Sequence, residues 1–153
     1  MIKAKTDYLY YREADTIANI CRNHCGKFRL FLNVWYANGT YRSLNYLFAL
    51  RKYEYRLNCY NSSFGRFLIV LSKIRWHRLG ARYNICIMPN TVGPGLRIPH
   101  LNGGIIVNCK SIGNNCTINS GVIIGNNDRG ELAEIGDNVN LTVGSLLSGE
   151  ILP

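Results

Sequence analysis

The chain has 153 residues, 47% of them hydrophobic and 18% charged, which is enough apolar material to bury a core and too much for a disordered tail. It shows no run of about 18 apolar residues that would cross a bilayer and no basic-then-apolar leader after Met1, so the cytoplasm is the expected compartment. The net charge of +9 is lopsided: residues 1–84 hold 15 Lys/Arg against 4 Asp/Glu, and residues 85–153 hold 3 against 5. The cations are scattered and no nucleic-acid motif accompanies them, so a solvated helical surface is expected, with weak membrane-surface or polyanion affinity as the alternative, and no nucleic-acid partner.

In chain order, Tyr8, Tyr11, Ile17, Ile20 and Cys21 recur at helical spacing over residues 7–25, with Thr6 or Asp7 as a cap. Gly26 breaks this helix, and residues 28–36 form an apolar segment of open type that ends at the turn dipeptide Asn38-Gly39. Helix formers return over residues 41–55, with Leu44, Leu47, Phe48 and Arg51 on one spacing. Asn61-Ser62-Ser63 then supplies caps. Phe64, Phe67, Leu68, Leu71 and Ile74 give the stripe of an amphipathic helix that runs to Leu79 and stops at Gly80.

After about Tyr83 the aromatics vanish and Ile, Val, Gly and Asn take over. Ile106, Ile112, Ile118 and Ile124 lie on one six-residue grid, and Ile135, Leu141 and Leu147 on a second, shifted by a loop. A period of six fits neither helix nor flat strand; it fits a triangular coil of short parallel strands, each burying one grid residue. Gly93, Gly113, Gly125 and Gly136 follow inward positions, and Cys116, Val122, Val139 and Ser145 sit four after one. Two interruptions, Asn102-Gly103-Gly104 and Asn126 to Glu134, predict loops that project from the coil.

The six cysteines contain no Cys-x-x-Cys pair and match no common metal spacing, which predicts reduced, mostly buried thiols. Sequons at Asn38, Asn61, Asn115 and Asn140 carry no weight without a secretion signal.

A helical lobe over residues 1–84, a coil over residues 85–153, and His100 in the setting Gly-Pro-Gly-Leu-x-Ile-x-His-x-x-Gly-Gly-Ile-x-x-Asn (residues 93–108) together resemble the hexapeptide-repeat acyltransferases, specifically the serine O-acetyltransferase-like branch. The string Asp-Tyr-x-Tyr-Tyr-x-Glu-Ala-Asp over residues 7–15 is similar to the start of short relatives associated with surface-polysaccharide gene clusters. The resemblance implies an α+β fold, in which the coil is a left-handed parallel β-helix. That coil is short at its carboxyl end, because the chain stops in mid-coil at Ile151-Leu152-Pro153. It also implies a homotrimer with active sites between subunits, and acetyl-CoA as acyl donor to a hydroxyl of L-serine or of a sugar.

On this resemblance His100 is the general base, a role that suits an imidazole near neutrality. Gly125, Asn126, Thr142 and Val143 line the acetyl-CoA site, and backbone N–H groups of the glycine-rich coil serve the oxyanion. Asn102, Gly103 and Arg129 face the acceptor, with Arg129 suited to an acceptor carboxylate or a CoA phosphate. Other left-handed β-helix proteins are zinc enzymes with three histidines; only His100 lies in the repeat region here, and no metal is expected. His24 and His77 fall in the helical lobe as structural or solvent-facing residues.

The chain departs from the family at three places. Pro99 stands where an aspartate precedes the catalytic histidine. Ile85, Cys86 and Ile87 stand where another acidic residue orients it, and the loop containing Asp128-Arg129 lacks a second histidine. A site without those carboxylates has little to grip an ammonium group, so a sugar hydroxyl fits at least as well as serine. The alternative reading is a catalytically silent trimeric assembly module.

Overall fold

The computed structural model describes residues 1–20, 38–127, 129–149 and 151–152. Three helices come first: α1 (Lys5–Ile20), α2 (Asn38–Cys59) and α3 (Ser63–Tyr83). Expectations for Cys21, His24, Cys25, Gly26 and residues 28–36 lie outside the described residues. In α1, Asp7 sits inside the first turn rather than ahead of it. Its Oδ2 accepts from the N–H groups of Lys3 and Ala4 at 2.9 and 3.0 Å, as the acidic member of a capping box does. Ile17, expected in the core, is exposed, and the buried residue of this helix is Asp15.

Asn38-Gly39 opens α2 instead of forming a separate turn, because both residue types also suit helix N-termini. The α2 helix packs against both other helices, and Leu44, Tyr46, Leu47, Ala49, Leu50 and Tyr53 are all buried. In α3, Ser62 is the N-cap as expected, its Oγ accepting from Gly65 N at 3.0 Å. Gly80 does not stop the helix. It continues to Tyr83, and Asn84 caps it in the left-handed region (φ 57°), donating its N–H to the Gly80 carbonyl.

The apolar stripe of α3 is also on the other side from that expected. Phe64, Phe67, Leu71 and Ile74 are exposed, while Gly65, Ser72, Trp76 and Gly80 face inward. Gly80 lets α3 lie close against the Ile85 carbonyl of the first strand, and Trp76 stacks on Tyr53 of α2 with centroids 5.2 Å apart.

From Ile85 the chain visits three parallel sheets in turn. The first joins β1 (Ile85–Ile87), β2 (Ile105–Val107), β5 (Val122–Gly125) and β8 (Leu146–Ser148). The second joins β3 (Ser111–Ile112), β6 (Glu134–Ile135) and β9 (Ile151–Leu152), with Val92 bridged to Ile112. The third joins β4 (Thr117–Ile118) and β7 (Asn140–Leu141), with Arg97 bridged to Thr117. The result is a three-faced parallel coil with short strands on each face.

Ile87, Val92, Ile98, Val107, Ile112, Ile118, Ile124, Ile135 and Leu141 are buried along its axis. The register corrects one grid position. Val107 pairs with Ile124 inside, whereas Ile106 pairs with Ile123 outside, both side chains exposed. The corner from Val107 to Ile112 is one residue shorter than the six-residue step, which moves the inward position.

Glycines at another corner let the coils stack. A Cβ on Gly93 would stand 2.7 Å from the Gly113 carbonyl oxygen, and one on Gly113 would stand 2.6 Å from Asp137 N. The hydrophobic core is continuous from Leu47, Leu50 and Trp76 in the helices to Leu141 in the coil. Cys109 and Cys116 are buried free thiols, Cys59 is half-buried, and Cys86 is exposed. Among the described residues, no helix is long and apolar enough to cross a membrane.

Candidate active site

The segment leading to His100 is fixed by the helices. Arg51 of α2 is fully buried, with Nε 2.9 Å from Asp15 Oδ2 of α1 and Nη1 3.1 Å from Glu54 Oε2. Its remaining donors reach the coil: Nη1 donates to the Val92 carbonyl at 2.8 Å and Nη2 to the Gly93 carbonyl at 2.7 Å. Burial disfavours the guanidinium charge, but Asp15 and Glu54 outweigh it and raise the Arg51 pKa. The carboxylates also hold backbone: Asp15 Oδ1 accepts from Leu96 N at 2.9 Å, and Glu54 Oε1 from Asn90 N at 2.7 Å.

Ile98, two residues before His100, is pinned on both sides. Its N–H donates to Asn19 Oδ1 at 3.0 Å, and its carbonyl accepts from Ser43 Oγ at 2.9 Å. Asn19 Nδ2 further donates to the Leu96 carbonyl at 2.8 Å. No helix pattern announces these residues as coil-binding. Asp15 and Asn19 look like surface polar residues until α1 is laid on the first coil, and the one signal for Arg51 is its spacing with Leu44 and Leu47 on the apolar face of α2.

His100 is exposed at the corner between the third and first sheets. No described residue hydrogen-bonds or ion-pairs with its ring. One coil upstream, β1 turns Ile85 and Ile87 inward and leaves Cys86 outside, so no carboxylate stands where an orienting acid is sought. Asn102 and Gly103 are exposed on the same corner. Below them the corner stacks through Gly121 N to the Gly104 carbonyl (2.6 Å) and Gly144 N to the Ser120 carbonyl (3.2 Å). Thr142 and Val143 are exposed there, and Thr142 Oγ1 lies 3.1 Å from Ser145 Oγ.

Gly125, Asn126 and Arg129 lie elsewhere. Gly125 ends β5, and the loop that follows is at the opposite end of the first sheet's strands, the length of a strand away, about 10–13 Å. Asn126 bridges Leu132 across this loop. Asn127 closes it, its Oδ1 accepting from Arg129 N and Glu131 N at 3.0 and 2.9 Å. Arg129 is exposed, and among the described residues nothing pairs with its side chain. Within one chain the expected residues therefore form two groups, one around His100 and one around Arg129.

A cleft of about 460 Å³ lies away from His100. It lies between the end of α1 (Ile17, Ala18) and the third sheet, where Gly95, Arg97, Asn115, Thr117, Asn138 and Asn140 line it. Sequence reading missed this cleft, although Arg97, Thr117 and Asn140 form one register column. None of its lining residues is a general base near neutral pH, so His100 remains the better candidate for proton transfer.

No protein-family model matches the chain, and no curated protein matches it in sequence. Among solved structures it is similar to the crystal structure of Neisseria gonorrhoeae serine acetyltransferase (CysE) in complex with serine, with a TM-score of 0.65 and 24% sequence identity. The likeness covers 97% of this chain and 57% of that one, so the chain spans a little over half of that neighbour's length. At this identity the likeness establishes the fold: a helical part followed by parallel-strand sheets, serine acetyltransferase-like in arrangement.

Proposed function

We propose that the chain is an acetyl-CoA-dependent O-acetyltransferase of the serine acetyltransferase-like type, acting on a hydroxyl of L-serine or of a sugar in surface-polysaccharide synthesis. The observation that carries this reading is the fold likeness, which takes in the helices and the coil together over 97% of the chain. The exposed His100, two residues beyond the doubly held Ile98, supports the choice of base. The coil is wound left-handed and works as a cytoplasmic homotrimer. In it one copy's His100 corner meets a neighbour's Gly125–Arg129 corner, joining the two groups that a single chain keeps apart.

His100 takes the proton of the acceptor hydroxyl as its oxygen attacks the thioester carbonyl carbon. Backbone N–H groups at the glycine corner hold the oxyanion, and its collapse breaks the C–S bond. The leaving thiolate receives the proton from the imidazolium. Asn102, Gly103 and Arg129 face the acceptor, while Gly125, Asn126, Thr142 and Val143 face the donor. The apolar β1 wall and Pro99 give an ammonium group no counter-charge, which favours a sugar hydroxyl over serine.

The test is release of free CoA from acetyl-CoA against L-serine, homoserine and nucleotide- or lipid-linked sugars. Turnover with a sugar acceptor, lost in His100→Ala, is the expected result. Turnover with serine alone overturns the acceptor preference, and turnover that survives His100→Ala overturns the mechanism. The second reading, a silent assembly module, is favoured by the lack of a carboxylate bonded to His100 among the described residues. It predicts no CoA binding by calorimetry.

A further inference from the structure

We propose that the outward face of α3 is a membrane-docking surface that lies flat on an anionic bilayer. The inference is independent of acetyl transfer and rests on how α3 is rotated in the fold. Its inward face is Gly65, Ser72, Trp76 and Gly80. Directly opposite stand Phe67, Leu71 and Ile74, which are 57%, 45% and 44% exposed, and beside them Phe64 and Val70, which are 70% and 54% exposed. Three of these residues repeat at i, i+4 and i+7, so they form a continuous ridge rather than scattered surface residues.

Cations flank that ridge on both sides. On the helical wheel Arg66 and Lys73 fall on one flank, Arg75 and Arg82 on the other, and Arg78 extends the ridge toward the C-terminus. The helix contains no Asp or Glu, and none of these cations is in an ion pair among the described residues. The positive rim continues onto α2, where burial and then the nearby Arg56, Arg75 and Arg12 charges lower the Lys52 pKa.

A ridge of large apolar side chains between two basic rows, without an acidic residue, matches an in-plane interfacial helix. The apolar groups would enter the headgroup boundary by about 5–10 Å and the cations would meet anionic headgroups. A second copy fits this face poorly, since joining two such ridges would bring the same cations together with no carboxylate to oppose them. A nucleic acid would use the cations and leave Phe67, Leu71 and Ile74 without a role.

The test is co-flotation of the full chain with phosphatidylcholine vesicles and with phosphatidylcholine–phosphatidylglycerol vesicles. The protein is expected to float with the anionic vesicles only. The triple variant Phe67→Ser, Leu71→Ser, Ile74→Ser should bind about tenfold less or worse, and Arg66→Gln with Lys73→Gln should weaken binding and flatten its salt dependence. All these positions are exposed, and an unchanged thermal melt would verify that each variant folds. The proposal is overturned by no flotation with anionic vesicles, by flotation unaffected by the triple variant, or by a larger assembly in solution that the triple variant dissolves. RNA binding that survives the triple variant, in place of flotation, overturns it too. The flotation result stands whether or not the protein releases CoA.

Discussion

Nε of Arg51 stands 2.9 Å from Oδ2 of Asp15, and both side chains are completely shielded from solvent. The pair joins α2 to α1, and each member also holds the first coil, Arg51 through the Val92 and Gly93 carbonyls and Asp15 through Leu96 N. A buried ion pair of this kind costs desolvation, which is offset here because most of the guanidinium's donors have acceptors.

Replacing Arg51 with Met should therefore destabilise the protein by about 3–5 kcal/mol, because it leaves two buried carboxylates without a counter-charge. Arg51→Lys keeps the charge but loses the fork, and should fall between Met and the wild type. Urea unfolding of the three proteins gives the order; equal midpoints would show that the coil is held some other way.

Tyr46 makes stability fall at high pH. Its hydroxyl accepts from Trp76 Nε1 and Ile87 N, both at 3.0 Å, and burial pushes its pKa from 10.0 up to about 12. The phenol is neutral in both states below pH 10, so the contribution is complete there. Between pH 10 and about 12 the unfolded chain loses the proton and the folded one keeps it, so stability declines. Cys109, raised by burial from 9.0 to about 11, adds a decline in the same direction from pH 9. Tyr46→Phe should cost about 1–3 kcal/mol at neutral pH by leaving two donors unpaired, and should flatten the decline between pH 10 and 12. Melting curves across that range check both effects.

His100 should be separable from stability. It is exposed and has no hydrogen-bond partner among the described residues, so His100→Ala should change unfolding free energy by less than about 0.5 kcal/mol. CoA release should fall by about 10²- to 10⁴-fold. A variant that melts early would instead mark His100 as structural.

Gly80→Ala should reverse the usual sign for a helix interior. In an open helix the change gains about 0.5–1 kcal/mol. Here the new Cβ would stand 2.6 Å from the Ile85 carbonyl oxygen, where α3 meets β1. A net loss of about 1–3 kcal/mol is expected, read as a lower melting temperature; a gain would mean that α3 can move off the coil at little cost.

The sequence is most legible where neighbours along the chain decide the outcome. Ser62 as a cap and the inward Ile112, Ile118 and Ile124 follow from spacings of a few residues. So do the loops at Asn102-Gly103-Gly104 and after Gly125, because a coil with one buried position per short strand repeats its own pattern. The corner carrying His100, Asn102 and Gly103 was readable for the same reason.

What the sequence determined by itself was thus the coil, its loops and the Ser62 start of α3, since turn chemistry and periodicity act locally. The tertiary structure alone decided the rest. It exchanged Val107 for Ile106 in the core, because inter-coil register depends on corner length. It also rotated the apolar stripe of α3 outward, because Trp76 packs on Tyr53 and Tyr46 of α2 and Gly80 lies against β1. Finally, it turned Arg51 from a helix-face residue into the buried hub for Asp15, Glu54 and the first coil. Hydrogen-bond partners 36 to 81 residues apart leave no local periodicity in the chain, so only the packed fold reveals them.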